Sequence, residues 1–288
     1  MKILLPSDSL QEIGGGFSFL RNLEKGLKSL GHEIVYGNDY KNTDIALVSG
    51  VTMVRRDTID QIQDAKIKLV VRLDNLPRNS RNRNTGTSRL KEFAQRADEI
   101  VWQCQWAKDY LGDFIDREGR IIYNGVDTDI FKPEGESYHF GDRENIYLYS
   151  RFSRDETKQW EVAWYNFQQI YRQNKNAKLI IVGQFSPEQK EYNFDFFRGE
   201  KIEYLGIIND PLEMAKVYRA CKYFLAVYYN DAYSNTYQEF LATSGQLLDP
   251  NMSGGTPELI KNGVVTIEQM TKEYIKLFEE VLEKPKKV

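Results

Sequence analysis

The feature that most restricts the fold of this chain is an alternation repeated along its length. Short apolar or β-branched runs, KILLP, HEIVYG, TDIALVSG, KIKLVVRLD, EIVWQC and RIIYNG, recur with helical patterns between them. Strands separated by helices cannot close into hairpins, so the pattern predicts a parallel sheet with crossover helices. The first helix is defined by Leu20, Leu23, Leu27 and Leu30 on one face, with Gly31 as its stop. After FKPEGESYHFGDREN, a stretch near residues 132–145 rich in proline, glycine and charge and read as a linker, the alternation resumes. It runs through NIYLYS, a helix with Trp160, Trp164 and Phe167 on one side, AKLIIVG, KIEYLG, a helix at 211–220, YFLAVYY, a helix beginning near Asn235, and GQLLD. The second series predicts a second doubly wound α/β domain, followed by an amphipathic terminal helix with a lysine-rich end.

A chain of 288 residues exceeds one ordinary core, and 41% hydrophobic with 28% charged residues is a globular composition. The formal net charge of -3 gives no global attraction for nucleic acid, so charge-driven recognition has to be local. Cys104 and Cys221 belong to no CxxC or Cys/His cluster, which argues against a zinc site or disulfide framework and favours a reducing compartment. MKILLPSD lacks the regions of a signal peptide, and no run approaches the length of a membrane span. The expectation is a cytoplasmic protein, with peripheral membrane contact left open.

Three segments carry chemistry. Gly14, Gly15 and Gly16 follow the first strand and precede the first helix, where backbone without Cβ atoms lets a phosphate approach the helix N-terminus; a plain turn is the alternative. SRFSRDETKQW offers Arg151, Arg154 and Lys158 where the first strand of the second domain ends, the edge at which open α/β sheets bind ligands. Those cations suit a diphosphate, although a solvated basic turn reads the same in isolation. DAYSNTYQE sets Asp231 after an apolar strand and Glu239 just over a turn into a helix, with Asn235 and Thr236 at the helix start where free N–H groups favour an anion. Two acids at that spacing mean little alone; SGGTPELIKNG follows them.

Taken in order, the glycine loop with LKSLGHEIV, IIYNGVDTDIFKP, LYSRF with Lys158, the acid pair and GGTPELIKNG resemble the retaining GT-B glycosyltransferases of family four, over nearly the whole chain. The resemblance implies an α/β GT-B architecture of two Rossmann-like domains facing across a cleft. Residues 1–134 would be the acceptor side, 135–265 the nucleotide-sugar donor domain, and 266–288 a helix able to pack back on the first domain. It further implies metal-independent transfer of a sugar, with retention, from a nucleotide-diphosphate sugar to a saccharide, lipid-linked or other hydroxyl acceptor, without a cofactor and with the leaving phosphate assisting deprotonation of the acceptor. Glu239 would bind the ribose, Asp231 would lie against the transferred sugar, and Arg151, Lys158 and Arg154 would hold the diphosphate, approached by Gly15 or Gly16. Ile207 or Ile208, in LGIINDPLEM, would line the base pocket, and GGTPELI would be structural support.

The chain departs from the family pattern in three places. The spacing from Arg151 to Lys158 is longer than is usual in the family, which is why Arg154 is expected to share their task. Asp231 stands where glutamate is common, and no acceptor-domain histidine is present, since His32 lies in the GHEIV turn and His139 in the linker. Asp74 or Arg72, ending KIKLVVRLD, is the substitute. Asp127 and Asp129 form a DxD triplet that holds metal in the other large glycosyltransferase fold, but within NGVDTDIF they read as a turn and cap, with no metal expected. Five arginines between Arg72 and Arg89 suit an anionic acceptor or a solvated loop. The rival readings are a nucleotide-sugar epimerase on the same fold and a nucleotide-sugar-binding protein without turnover.

Overall fold

The computed structural model describes residues 1–6, 14–37, 39–50, 54–74, 84–153, 155–184 and 201–285. The chain divides into two compact units, one formed by Met1–Gly125 with Val265–Val288 and the other by Val126–Val264.

In the first unit, β1 (Lys2–Leu5), β2 (Glu33–Tyr36), β3 (Ile45–Ser49), β4 (Lys68–Leu73), β5 (Glu99–Trp102) and β6 (Arg120–Ile121) form one sheet in the order β2-β1-β3-β4-β5-β6. Every pairing is parallel. The crossovers are α1 (Gly15–Ser29), α2 (Arg56–Asp64), α3 (Asn84–Arg96) and α4 (Gln105–Ile115). Order reverses between β1 and β3, the position at which open α/β sheets bind ligands. Leu20, Leu23 and Leu27 are buried as their spacing requires, whereas Leu30 is 48% exposed. The correction has a local cause: Leu30 already lies past the helix end, its N–H closing on the Leu27 carbonyl as the chain turns away at Gly31.

In the second unit, β7 (Ile146–Phe152), β8 (Lys178–Gly183), β9 (Ile202–Gly206), β10 (Tyr223–Leu225) and β11 (Gln246–Leu248) form a second all-parallel sheet in the order β11-β10-β7-β8-β9. Its helices are α5 (Trp160–Gln173), α6 (Pro211–Ala220), α7 (Asn235–Ala242) and α8 (Thr256–Asn262). The reversal here falls between β7 and β10. Trp160, Trp164 and Phe167 stack along α5 as their spacing requires.

The unit boundary falls at Gly125 and Val126 rather than at 134. The segment after it has a linker's composition, yet Arg219 of α6 donates to the carbonyls of Glu136 (2.7 Å), Ile130 (3.3 Å) and Lys132 (3.4 Å), and the Tyr138 N–H reaches the Lys216 carbonyl at 3.3 Å. Long-range hydrogen bonds thus fasten it to the second unit. The terminal helix α9 (Ile267–Glu283) starts on a capping box between Thr266 and Gln269 and returns to the first unit, where Met270, Tyr274, Leu277, Phe278 and Val281 join one core with Leu20, Leu23 and Leu27 of α1.

Candidate functional site

The carboxyl edge of the second sheet, where its strand order reverses, gathers Arg151, Lys158, Asp231 and Glu239. Arg151 is the next-to-last residue of β7 and has φ +62°, and the register against β8 shifts between Tyr149 and Phe152. This bulge brings the backbone of Phe152 so close to Gly183 that a Cβ there would sit 2.3 Å from its nitrogen, so only glycine fits. Burial works to lower the Arg151 guanidinium pKa, but the charges of Asp231, Asp155 and Glu239 outweigh it and hold Arg151 above its ordinary value.

Lys158 ends a 3-10 turn, Glu156–Lys158, whose cap Asp155 accepts from the Thr157 N–H (3.1 Å) and hydroxyl (2.7 Å). The Lys158 side chain is 2% exposed; its Nζ donates to Asp231 Oδ2 and stands 4.1 Å from the centre of the Tyr228 ring. A lysine so deeply buried keeps its charge only with such partners. Tyr228 is itself fixed, its hydroxyl donating to the Ser150 carbonyl at 2.7 Å and its ring stacked on Tyr237 at 4.6 Å. Sequence reasoning missed Tyr228, although its place in YFLAVYY, just before Asp231, was the available signal.

The double glycine of SGGTPELI supports this loop. Gly254, at φ +62°, passes so close to Asp231 that a Cβ would stand 2.3 Å from its carbonyl oxygen, and the Gly255 N–H donates to that same oxygen at 2.9 Å. Ser253 Oγ accepts from the Asn230 N–H at 3.0 Å. The motif therefore acts on the backbone of the first acid.

Helix α7 begins beside it. Ser234 caps the helix through the Tyr237 N–H, Asn235 and buried Thr236 occupy its first turn, and no acidic residue competes with an anion there. Glu239, half-buried, accepts from the Tyr218 hydroxyl at 3.4 Å. Ile208 lies half-buried between β9 and α6, beside the exposed Ile207, and Arg154 falls outside the described residues. The second sheet thus brings together Arg151, Lys158, Asp231 and Glu239, with Asn235 and Thr236 alongside.

In the first unit, Gly15 and Gly16 open α1 after β1, and Gly15 is exposed with nothing within 4 Å of where its Cβ would be. Asp74 follows β4 and is paired with Arg72 at 2.7 Å. Burial pushes the Asp74 carboxyl above its ordinary value against the opposing charge of Arg72 and the bond from Ser49. Arg78, Arg81 and Arg83 of the arginine-rich segment lie outside the described residues. The Asp127 carbonyl accepts from the Ile130 and Phe131 N–H groups and its carboxylate from the Asp129 N–H at 3.2 Å, which makes the triplet a turn. Among the described residues no group of three or more His, Cys, Asp or Glu is arranged to hold a metal ion, and both cysteines are buried and in no disulfide. No described helix is long and apolar enough to cross a membrane.

No protein-family model and no curated sequence matches the chain. Solved structures do resemble it in fold. HepE of Anabaena in complex with UDP-glucose superimposes with a TM-score of 0.65 at 16% identity, covering 98% of this chain and 90% of that one. Sucrose-phosphate synthase of Thermosynechococcus elongatus gives 0.69 at 12% identity, covering 97% and 90%. A Listeria monocytogenes protein assigned as a UDP-N-acetylglucosamine 2-epimerase gives 0.63 at 14% identity, covering 98% and 89%. The two parallel α/β units of the chain have the GT-B fold.

Proposed function

We propose that the chain is a glycosyltransferase that moves a sugar from a nucleotide-diphosphate sugar to a hydroxyl acceptor, retaining the anomeric configuration and using no metal. The observation that carries this reading is the convergence of Arg151 and Lys158 with Asp231 and Glu239 at the switch point of the second sheet, beside the N-terminus of α7. Open α/β sheets bind nucleotides at such points, and two cations with a helix start stabilise a departing diphosphate without a metal. HepE, with the same fold, is known in complex with UDP-glucose, which makes that donor the first to test.

In this reading Arg151, Lys158 and Arg154 hold the diphosphate together with the first turn of α7 at Asn235 and Thr236. Glu239 accepts from the ribose, Ile208 lines the base pocket, and Asp231 faces the transferred sugar, where positive charge develops. In the first unit the candidate residues are Gly15, Gly16 and Asp74, and the acceptor is a saccharide, a lipid-linked sugar or another hydroxyl compound. The reaction is placed in the cytoplasm, where nucleotide sugars are at hand.

The test is incubation of the purified chain with UDP-glucose and other sugar nucleotides, following nucleoside diphosphate release with and without candidate acceptors. Binding is followed in parallel by thermal shift, where a nucleotide at about 100 times its Kd adds roughly 2.7 kcal/mol. Absence of stabilisation by any nucleoside diphosphate overturns the reading. Recovery of an epimerised sugar without an acceptor supports an epimerase instead, and loss of turnover in EDTA restored by manganese removes the metal-free step.

A further inference from the structure

The carboxyl ends of β3, β4 and β5 lie side by side, Ser49 in register with Arg72 and Arg72 with Val101. Arg72 points inward and is 1% exposed, an unusual place for a guanidinium; its two terminal nitrogens are used, while Nε has no hydrogen-bond partner. Nη1 donates to Asp74 Oδ2 at 2.7 Å and to Ser49 Oγ at 3.4 Å. Nη2 donates to Gln103 Oε1 at 2.7 Å and Asn124 Oδ1 at 2.6 Å, and the Phe19 ring covers Cζ at 3.9 Å. Arg72 therefore ties four segments to one point and cannot turn toward a ligand without breaking all of them.

Asp74 is held unequally by this network. Its Oδ2 takes both Arg72 and, at 3.4 Å, the Ser49 hydroxyl, whereas buried Oδ1 has no hydrogen-bond partner. A buried carboxylate oxygen without a donor is costly, and the group that relieves it has to donate a proton in a hydrogen bond. An anion cannot do so, but an alcohol can. We propose that Arg72 is a positioning residue that holds the Asp74 carboxylate still, leaving the donorless Oδ1 to accept a hydrogen bond from the acceptor's hydroxyl, a role that rests on the transferase reading.

Three groups face the Asp74 carboxyl: Arg72 on β4, Ser49 on β3, and Tyr274 of α9, whose phenol is pushed up by burial first and by the Asp74 charge in part. Only an ionised Asp74 keeps both the Arg72 bond at Oδ2 and an accepting Oδ1. Arg72 thus sets the pH at which the acceptor is engaged.

The experiment compares wild type, Arg72→Lys, Arg72→Met and Asp74→Asn. It reads the Asp74 titration by carboxyl-carbon NMR, UDP affinity by calorimetry, and the pH dependence of transfer from UDP-glucose to glucose or water. Arg72→Met is expected to raise the Asp74 midpoint and the acid limb of turnover together by about one pH unit or more, Arg72→Lys by less, and Asp74→Asn to abolish that limb, all with UDP affinity unchanged. A midpoint that moves while the limb stays put overturns the proposal, as does a limb unmoved in both Arg72 variants while only their melting temperatures fall. If wild type neither binds UDP nor consumes UDP-glucose, the transferase reading itself fails and this role with it; intact UDP binding with an unmoved limb rejects the role alone.

Discussion

Each unit holds a buried cation against an aspartate at the carboxyl edge of its parallel sheet, and the two pairs are built differently. In the first, Arg72 near the end of β4 and Asp74 just beyond it are two residues apart, and the planar guanidinium divides its bonds among four side chains. In the second, Lys158 and Asp231 meet across 73 residues, and the ammonium meets a carboxylate and the face of an aromatic ring. Arginine's fixed fork makes a network that specifies geometry, whereas lysine's flexible point charge can exchange one anion for another. The first pair is thereby suited to holding a side chain still, and the second to surrendering its cation to a diphosphate. Asp231, 13% exposed beside Lys158 at 2%, is the partner with a way out.

Substitutions test this contrast at decreasing strength. Arg72→Met leaves a buried carboxylate uncompensated and is expected to cost about 3–5 kcal/mol of stability in urea titrations. A loss comparable to that of an exposed ion pair would mean the network is not rigid. Asp231→Asn is expected to lower turnover about a hundredfold, roughly 2.7 kcal/mol, without weakening UDP binding, because Lys158 no longer has a competing carboxylate. Weaker UDP binding in that variant would instead make Asp231 a structural clamp on Lys158.

Gly254→Ala probes the backbone under Asp231. A left-handed residue other than glycine costs roughly 1–2 kcal/mol, and here the added Cβ also meets the Asp231 carbonyl. Gly263→Ala, at φ +70° with nothing within 4 Å, carries the strain alone. Turnover should fall in the first variant and hold in the second; equal effects would detach the double glycine from the site. Glu239→Gln should weaken donor binding by about 1–2 kcal/mol with a smaller effect on turnover, measured by calorimetry and initial rates.

The smallest effect is on stability against pH. Burial raises the Asp74 carboxyl above its ordinary 3.8, so just above that pH the native state keeps a proton the unfolded state has released. Unfolding free energy therefore falls as pH rises through that interval, and Asp74→Asn should flatten this part of the profile. An unchanged slope would show that Arg72 holds the carboxylate ionised throughout.

Much of the architecture was legible because it rests on local repetition. The runs from KILLP to RIIYNG and from NIYLYS to GQLLD became the eleven strands among the described residues, and the helix expected at 211–220 became α6. Proline and glycine in the 132–145 segment gave no sign that Arg219 would bind it to the second unit. Neither Gln103 nor Asn124 carried any signal of lying beside Arg72, since glutamine after a strand and asparagine before glycine are usual in turns. The acids Asp231 and Glu239 were visible through their spacing and the GGTPELI that follows, but not the Tyr228 ring beneath Lys158.

By itself the sequence determined the order of strands and helices, the start of α7 near Asn235 and the grouping of glycines and charges at strand ends, because hydrophobic period and turn chemistry act over a few residues. Tertiary structure decided which side chains meet. Lys158 reaches Asp231 because β10 lies beside β7 at the point where strand order reverses, and Gly254 touches Asp231 because the chain after β11 returns over that loop. Arg72 finds Gln103 and Asn124 because β5 and β6 follow β4 across the sheet. Strand order and register bring together residues that no local spacing relates, so the two ion pairs appear only when the sheets have formed.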